Sequence, residues 1–131
     1  MRPAYRAAVA ARPISIAPSV LPADFAVLGE QCVALQEAGV DRIQWDVMDG
    51  QFVPNITMGP DIIAAIRPHV AVPFEAHLMV LEPDHMLERW IEAGCERLII
   101  HNQGVEYAGD GSCHEGQKHI TLDFNRNTRA G

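Results

Sequence analysis

One joint occurs twice in this chain, and it constrains the fold more than any other feature. Glu37-Ala38-Gly39-Val40-Asp41-Arg42-Ile43 matches Glu92-Ala93-Gly94-Cys95-Glu96-Arg97-Leu98. Each copy reads as a helix end, a glycine stop and the start of a strand. Leaving a helix and entering a strand the same way twice is what a repeating β-α architecture requires. The neighbouring segments fit that rhythm. Ile14-Ser15-Ile16-Ala17 alternates and reads as a first strand ended by Pro18. Phe25, Leu28, Cys32 and Leu35 then place an apolar stripe on a helix over 24–38, with Asp24 at its N-cap. A second strand is predicted over 41–47 and a loop rich in Gly, Pro and Asn over 50–60. A short helix follows over 60–68, with Pro60 at its first turn. A third strand is predicted over 73–79. A helix over 83–93 gathers Met86, Leu87, Trp90 and Ile91 on one side, and a fourth strand covers 97–101. Strands and helices alternating through short joints argue for parallel strands: three βα units and a fourth strand over 14–101.

The ends of the chain read differently. Residues 1–13 carry Arg2, Arg6 and Arg12 and no acidic residue. The apolar run Ala7 to Ala11 is short for a signal-peptide core, so the segment is expected to be a flexible leader, with a transit peptide as the other reading. Residues 102–131 show scattered glycines and no helical period. Only Ile120 to Phe124 alternates like a short strand, and the segment is expected to be a divergent tail, disordered, out of frame or a truncation product. Length and composition agree with one globular domain: 131 residues, 48% hydrophobic and 21% charged. A net charge of -7 argues against general nucleic-acid or anionic-membrane partners. It leaves room for phosphate ligands held by backbone N–H groups. Cys32, Cys95 and Cys113 match neither a disulfide framework nor a paired zinc motif, which suits a cytoplasmic location.

Candidate chemistry follows from strand periodicity. Residues two apart share a face, so Gln44, Asp46 and Met48 line one side of the second strand, and Glu75, His77 and Met79 one side of the third. In parallel βα folds functional groups collect at the C-terminal ends of strands. Asp46 and His77 both lie there, and a carboxylate beside an imidazole suits a divalent metal or general-base chemistry. On spacing alone, a buried polar residue with a structural hydrogen bond is the commoner explanation for each. Ser19, just after the first strand, could hold a substrate oxygen or simply cap a turn. Met48, Met58 and Met79 could line a pocket or fill a core. Asp49-Gly50 is a turn signal. Cys113, His114 and His119 fit no metal-ligand spacing.

Three ordered motifs carry a family resemblance over residues 14–101. Ile16-Ala17-Pro18-Ser19-Val20-Leu21, with Ala23-Asp24-Phe25 and Leu28-Gly29, is the first. Trp45-Asp46-Val47-Met48-Asp49-Gly50-Gln51-Phe52-Val53-Pro54-Asn55, extended by Gly59-Pro60, is the second. Ala76-His77-Leu78-Met79-Val80 is the third. Together they resemble the ribulose-phosphate 3-epimerase family. The resemblance implies an α/β fold, here the N-terminal part of a (β/α)8 TIM barrel of the ribulose-phosphate-binding type. It implies an isomerase that interconverts D-ribulose 5-phosphate and D-xylulose 5-phosphate in the pentose phosphate pathway and the Calvin cycle. Two aspartates on opposite faces of the substrate would move the C3 proton, with a divalent cation (Zn, Fe, Mn or Co) stabilising the developing oxyanion.

Carried over by position, Asp46 would be one acid/base and a metal ligand, and His77 a metal ligand at the substrate. Ser19, Met48 and Met79 would contact the substrate. Gln44 stands where the family usually has a ligand histidine. A neutral amide oxygen is a weaker donor for zinc than imidazole, which lowers the expected metal affinity. Pro22 replaces a usual serine, and Asn102-Gln103 follow His101 where His-x-Glu is usual. The second aspartate and the phosphate loops are expected beyond the matched region, since neither Asp110 nor Asp123 sits in a matching motif. The chain is therefore expected to lack full activity. Two alternatives stand beside this reading. One is a non-catalytic half-barrel that associates through open sheet edges with a second copy or a complementary fragment. The other is a related epimerase or lyase for a hexulose phosphate.

Overall fold

The computed structural model describes residues 14–101 and 119–123. Residues 1–13, 102–118 and 124–131 lie outside the described residues, as do the expectations of a flexible leader and a divergent tail that fall on them.

Asp24 opens the helical run by accepting from Ala26 N at 2.9 Å, while its own N–H donates to Gln31 Oε1 at 2.9 Å. This reciprocal cap satisfies donors that the first turn leaves orphaned. The run begins as a 3-10 turn, Phe25–Val27, and becomes helix α1 only at Leu28–Glu37. Leu28 and Cys32 are buried as the stripe predicts, but Phe25 is 45% exposed. The tighter winding of the 3-10 turn rotates Phe25 off the α-helical stripe. The same happens in the third helical run, where Pro83–Met86 is a 3-10 turn before α3, Leu87–Glu92. Trp90 is buried there, and Met86 is 39% exposed. Between them, α2 spans Pro60–Ile66 with Pro60 in its first turn, and a 3-10 turn Arg67–His69 follows.

Strands β1 (Ile43–Met48), β2 (Phe74–Met79) and β3 (Cys95–His101) pair in parallel in the order β1-β2-β3. Strand β4 (His119–Asp123) runs antiparallel against β3. The alternating stretch predicted at 120–124 is thus a strand, but it breaks the parallel pattern.

The predicted first strand is not one. Only Ser19 makes an isolated parallel bridge, to Gln44. Ile16 O accepts from both Asp41 N and Arg42 N, at 3.0 and 3.2 Å, instead of making one rung per residue. Pro18 has no N–H to donate. Pairing with β1 resumes through Gln44 N→Pro18 O at 2.9 Å and Val20 N→Gln44 O at 3.1 Å. The segment still runs alongside β1, and that places Ser19 beside Asp46.

The two faces of the sheet have opposite chemistry, as strand alternation requires. Ile43, Trp45, Val47, Phe74, Ala76, Leu78, Leu98, Ile100 and Leu122 are all buried in a core shared with Leu28, Cys32, Ile63, Ile66 and Trp90. Trp45 meets Phe74 edge-on at 5.1 Å. The opposite face carries Arg42, Gln44, Asp46, Glu75, His77, Arg97 and His101. At its lower end Glu75 is 4% exposed. Its Oε2 is 3.5 Å from Arg42 Nε and 3.4 Å from Arg97 Nη1, and Arg97 Nη2 reaches Asp123 Oδ2 at 3.2 Å.

The duplicated joint is real, and its two glycines do different work. Gly39 and Gly94 have φ of 84° and 109°. A Cβ at Gly39 would meet nothing within 4 Å, whereas one at Gly94 would lie 2.3 Å from Arg67 Cδ. Arg67 donates to Gly94 O at 3.5 Å, to Val70 O and to Val72 O at 2.8 Å, and its guanidinium lies 3.7 Å from the Phe74 ring centroid. Gly94→Ala is therefore expected to destabilise by about 2 kcal/mol, through positive φ and displacement of Arg67. Gly39→Ala should cost less, because only φ opposes it. Urea midpoints of the two variants check this order.

Candidate active site

Asp46 is the last polar position of β1's open face, and only 7% of it is exposed. Three side chains converge on its carboxylate. Ser19 Oγ donates to Oδ2 in a short hydrogen bond. Gln44 Nε2 donates to Oδ1 at 2.9 Å, and His77 Nδ1 lies 3.0 Å from the same oxygen. The register explains the meeting: Asp46 pairs with His77 across β1 and β2, and Ser19 with Gln44. These donors favour the charged carboxylate. The His77 hydrogen bond is the largest cause, burial opposes it, and Ser19 and Gln44 add to it; together they hold the Asp46 carboxyl down to about 2.

That shift has a pH signature. A carboxyl depressed in the folded state stabilises the fold above its unfolded value near 3.8, and this is lost as pH falls through about 2. Urea midpoints of the wild type should therefore fall between about pH 4 and pH 2 more steeply than those of Asp46→Asn. Parallel profiles would contradict the assignment.

The strand end is clamped by its loop. Thr57 Oγ1 donates to Asp46 O at 2.7 Å and accepts from Met48 N at 3.0 Å, and Thr57 N donates to Met48 O at 3.2 Å. Asp49 ties the same loop to β2: its carboxylate accepts from Leu81 N at 2.9 Å, Phe52 N at 2.8 Å and Gln51 N at 2.9 Å. Those backbone donors keep its carboxyl below the usual range. Asp49 is thus the turn residue its Asp-Gly sequence suggests.

All six nominated residues stand near one mouth. Ser19, Gln44, Asp46 and His77 are linked directly. Met48 and Met79 are register partners at the strand ends, on the Asp46 and His77 face, and both are half-buried. His101 was not nominated. Its Nε2 lies 2.9 Å from His77 Nε2, its ring stacks on His77 with centroids 5.0 Å apart, and Phe52 packs on it at 4.9 Å. The signal for it was its position, ending β3 on the same face as Arg97.

The donor set can be tested against a metal. Zinc takes four ligands, or three and a water. Asp46 and His77 offer one carboxylate and one imidazole, and among the described residues no group of three or more His, Cys, Asp or Glu is placed to hold a metal ion. Gln44 turns its amide N–H toward Asp46, and presenting its oxygen instead would lose that bond. The described residues do not fit a zinc site on their own. Gln44→His should raise zinc affinity at least about tenfold, about 1.4 kcal/mol, measured by titration calorimetry. An unchanged affinity would show that Gln44 does not limit the site.

A parallel β-α sheet with linked polar groups at its C-terminal mouth defines the class of α/β proteins that do their chemistry at strand ends. The chain belongs to the ribulose-phosphate 3-epimerase family, whose model (Ribulose-phosphate 3 epimerase family) matches residues 15–115. That match runs past His101, where the resemblance read over 14–101 ends. The ribulose-phosphate 3-epimerase of Bacillus subtilis is 48% identical over 94 residues, covering 72% of this chain and 43% of the relative. The ribulose-phosphate 3-epimerase of Synechocystis sp. is 50% identical over 88 residues, 67% of this chain and 38% of the relative. The chloroplastic ribulose-5-phosphate-3-epimerase of Arabidopsis thaliana is 48% identical over 88 residues, 67% of this chain and 31% of the relative. The chain thus spans about two fifths or less of the length of these relatives, which are carbohydrate epimerases and hence isomerases. Among the described residues no helix is long and apolar enough to cross a membrane.

Proposed function

We propose that this chain supplies one proton-transferring half of a ribulose-phosphate 3-epimerase site, with Asp46 as its acid/base. The observation that carries the reading is the Asp46 carboxylate, buried at the mouth and gripped by Ser19, Gln44 and His77. Its substrate is a sugar phosphate, D-ribulose 5-phosphate, and its location is cytoplasmic.

The geometry gives each residue a task. Asp46 takes the proton from C3. A carboxylate held near 2 is fully ionised at neutral pH but a weak base. A substrate hydroxyl that draws the Ser19 hydrogen bond away from Asp46 would remove one donor and raise its basicity, so Ser19 would couple binding to proton transfer. His77 keeps the carboxylate oriented, and Met48 and Met79 offer an apolar wall to the sugar carbons. A divalent cation at this mouth would act as a Lewis acid for the substrate oxygens. With Gln44 in place, its binding is weak. Inversion at C3 needs a second acid on the opposite face, a task that no described residue is assigned.

The test is proton NMR of D-ribulose 5-phosphate incubated with the chain in D2O, with divalent metal supplied. Loss of the C3 proton signal is expected. If the signal persists at high protein concentration, the reading is wrong. A D-hexulose 6-phosphate run in parallel decides substrate length: faster exchange there would move the assignment to a hexulose-phosphate enzyme.

A further inference from the structure

We propose that Thr57 is a positioning residue for Asp46: its hydroxyl stands in for a neighbouring strand at the end of β1 and fixes the backbone that carries the carboxylate. This deepens the epimerase reading and rests on it for its functional meaning.

The edge of β1 creates the need. In a strand the N–H and C=O of one residue point to the same edge, and residues two apart share it. Gln44, Asp46 and Met48 therefore turn their backbone groups toward the edge that residues 16–20 flank. That segment serves Gln44, whose N–H donates to Pro18 O at 2.9 Å and whose O accepts from Val20 N at 3.1 Å. It then turns away, because Val20 O accepts from Ala23 N at 3.0 Å. Thr57 takes over the edge from there. Its Oγ1 donates to Asp46 O at 2.7 Å and accepts from Met48 N at 3.0 Å, and its N–H donates to Met48 O at 3.2 Å.

The proton on that hydroxyl has one place to go. A carbonyl only accepts and a backbone N–H only donates, so Oγ1 gives its proton to Asp46 O and a lone pair to Met48 N. Valine can do neither, and serine can do both. Thr57 is itself held from both sides: Ile56 bridges back to Asp49, and Pro60 opens α2.

Thr57 meets the backbone of Asp46 and leaves the carboxylate to Ser19, Gln44 and His77. Its role is therefore placement. A base displaced by about 1 Å can lose up to about 10² in rate. Binding is spread over more contacts and suffers less, so the loss should fall on kcat.

The experiment compares Thr57→Val and Thr57→Ser with the wild-type chain through two readouts. For C3 exchange of D-ribulose 5-phosphate in D2O, Thr57→Val should lower kcat about tenfold and leave KM within about threefold. Thr57→Ser should restore kcat. With no substrate present, 1H–15N NMR should show the Met48 amide exchanging about tenfold faster in Thr57→Val than in wild type or Thr57→Ser. Three results would overturn the proposal: serine as slow as valine, a loss in KM alone, or equal Met48 exchange in all three proteins. If the valine variant fails to fold, an unprotected Met48 amide in the folded wild type would overturn it, and a protected one in wild type and serine variant would support it. Absent C3 exchange in the wild type would sink the epimerase reading, and Met48 exchange would still test the clamp.

Discussion

Replacing Glu75 with alanine is expected to destabilise the chain by about 3–5 kcal/mol, more than any other single change on the polar face of the sheet. Glu75 is almost fully buried, and its Oε2 lies within 3.5 Å of Arg42 Nε and 3.4 Å of Arg97 Nη1. Among the described residues the buried Arg42 Nη1 and Arg97 Nε have no hydrogen-bond partner, so the pair is already short of acceptors there. Burial is the main influence pulling the Arg42 guanidinium below its usual range, the Arg97 charge adds to it, and Glu75 opposes both. Without the carboxylate, two like charges share a poorly solvated space. Glu75→Gln keeps the shape and one acceptor and should lose roughly half as much. Glu75→Leu removes the charge but adds apolar volume, and it should fall with alanine, since Arg42 loses its buried partner and Arg97 is left with Asp123. Urea unfolding followed by circular dichroism gives the order. Wild-type stability in all three variants would show that the arginines are solvated and that the network contributes little.

Asp46→Asn is the second large effect, on chemistry rather than on the fold. The C3 exchange rate should drop about 10³-fold, within the range general acid–base groups contribute. An amide accepts with one oxygen and donates with its nitrogen. Three donors face the wild-type carboxylate, from Ser19, Gln44 and His77, so at least one would meet an N–H group. A stability cost of about 1–3 kcal/mol should accompany the rate loss. Measuring both in one variant separates the roles: a rate loss no larger than the loss of folded protein would make Asp46 structural.

The fold was legible where local chemistry and tertiary structure agree. The joint at Gly39 and Gly94 predicted two helix ends and two strand starts, because positive φ and strand entry are local demands. Alternation grouped Gln44, Asp46 and Met48 on one face of β1 and Glu75, His77 and Met79 on one face of β2, and both strands form as that grouping needs. It failed at Ile14 to Ala17, where the pairing is decided by a carbonyl shared between two donors and by the missing N–H of Pro18, neither of which alternation registers. It misplaced Phe25 and Met86, since a 3-10 turn and an α-helix share their sequence signals but not their angular period.

The site was legible in part for the same reason. Asp46 and His77 could be placed on facing strand ends from period and motif together. Ser19 could be placed only through the motif, because its bridge to Gln44 is a tertiary contact. The partnership of Glu75 with two arginines needed the register, which pairs Glu75 with Gln44 on one side and Arg97 on the other. His101 escaped for want of a third-strand register: His77 pairs with Ile99, and His101 reaches back along the shared face to meet it.

The central claim is that Asp46 moves the C3 proton of D-ribulose 5-phosphate from one face. The direct measurement is deuterium incorporation at C3 and formation of D-xylulose 5-phosphate, followed in the same D2O reaction for wild type and Asp46→Asn. The wild type should incorporate deuterium faster than it forms the epimer, since the described residues place an acid on one face only, and Asp46→Asn should do neither. Incorporation that survives in Asp46→Asn would contradict the account.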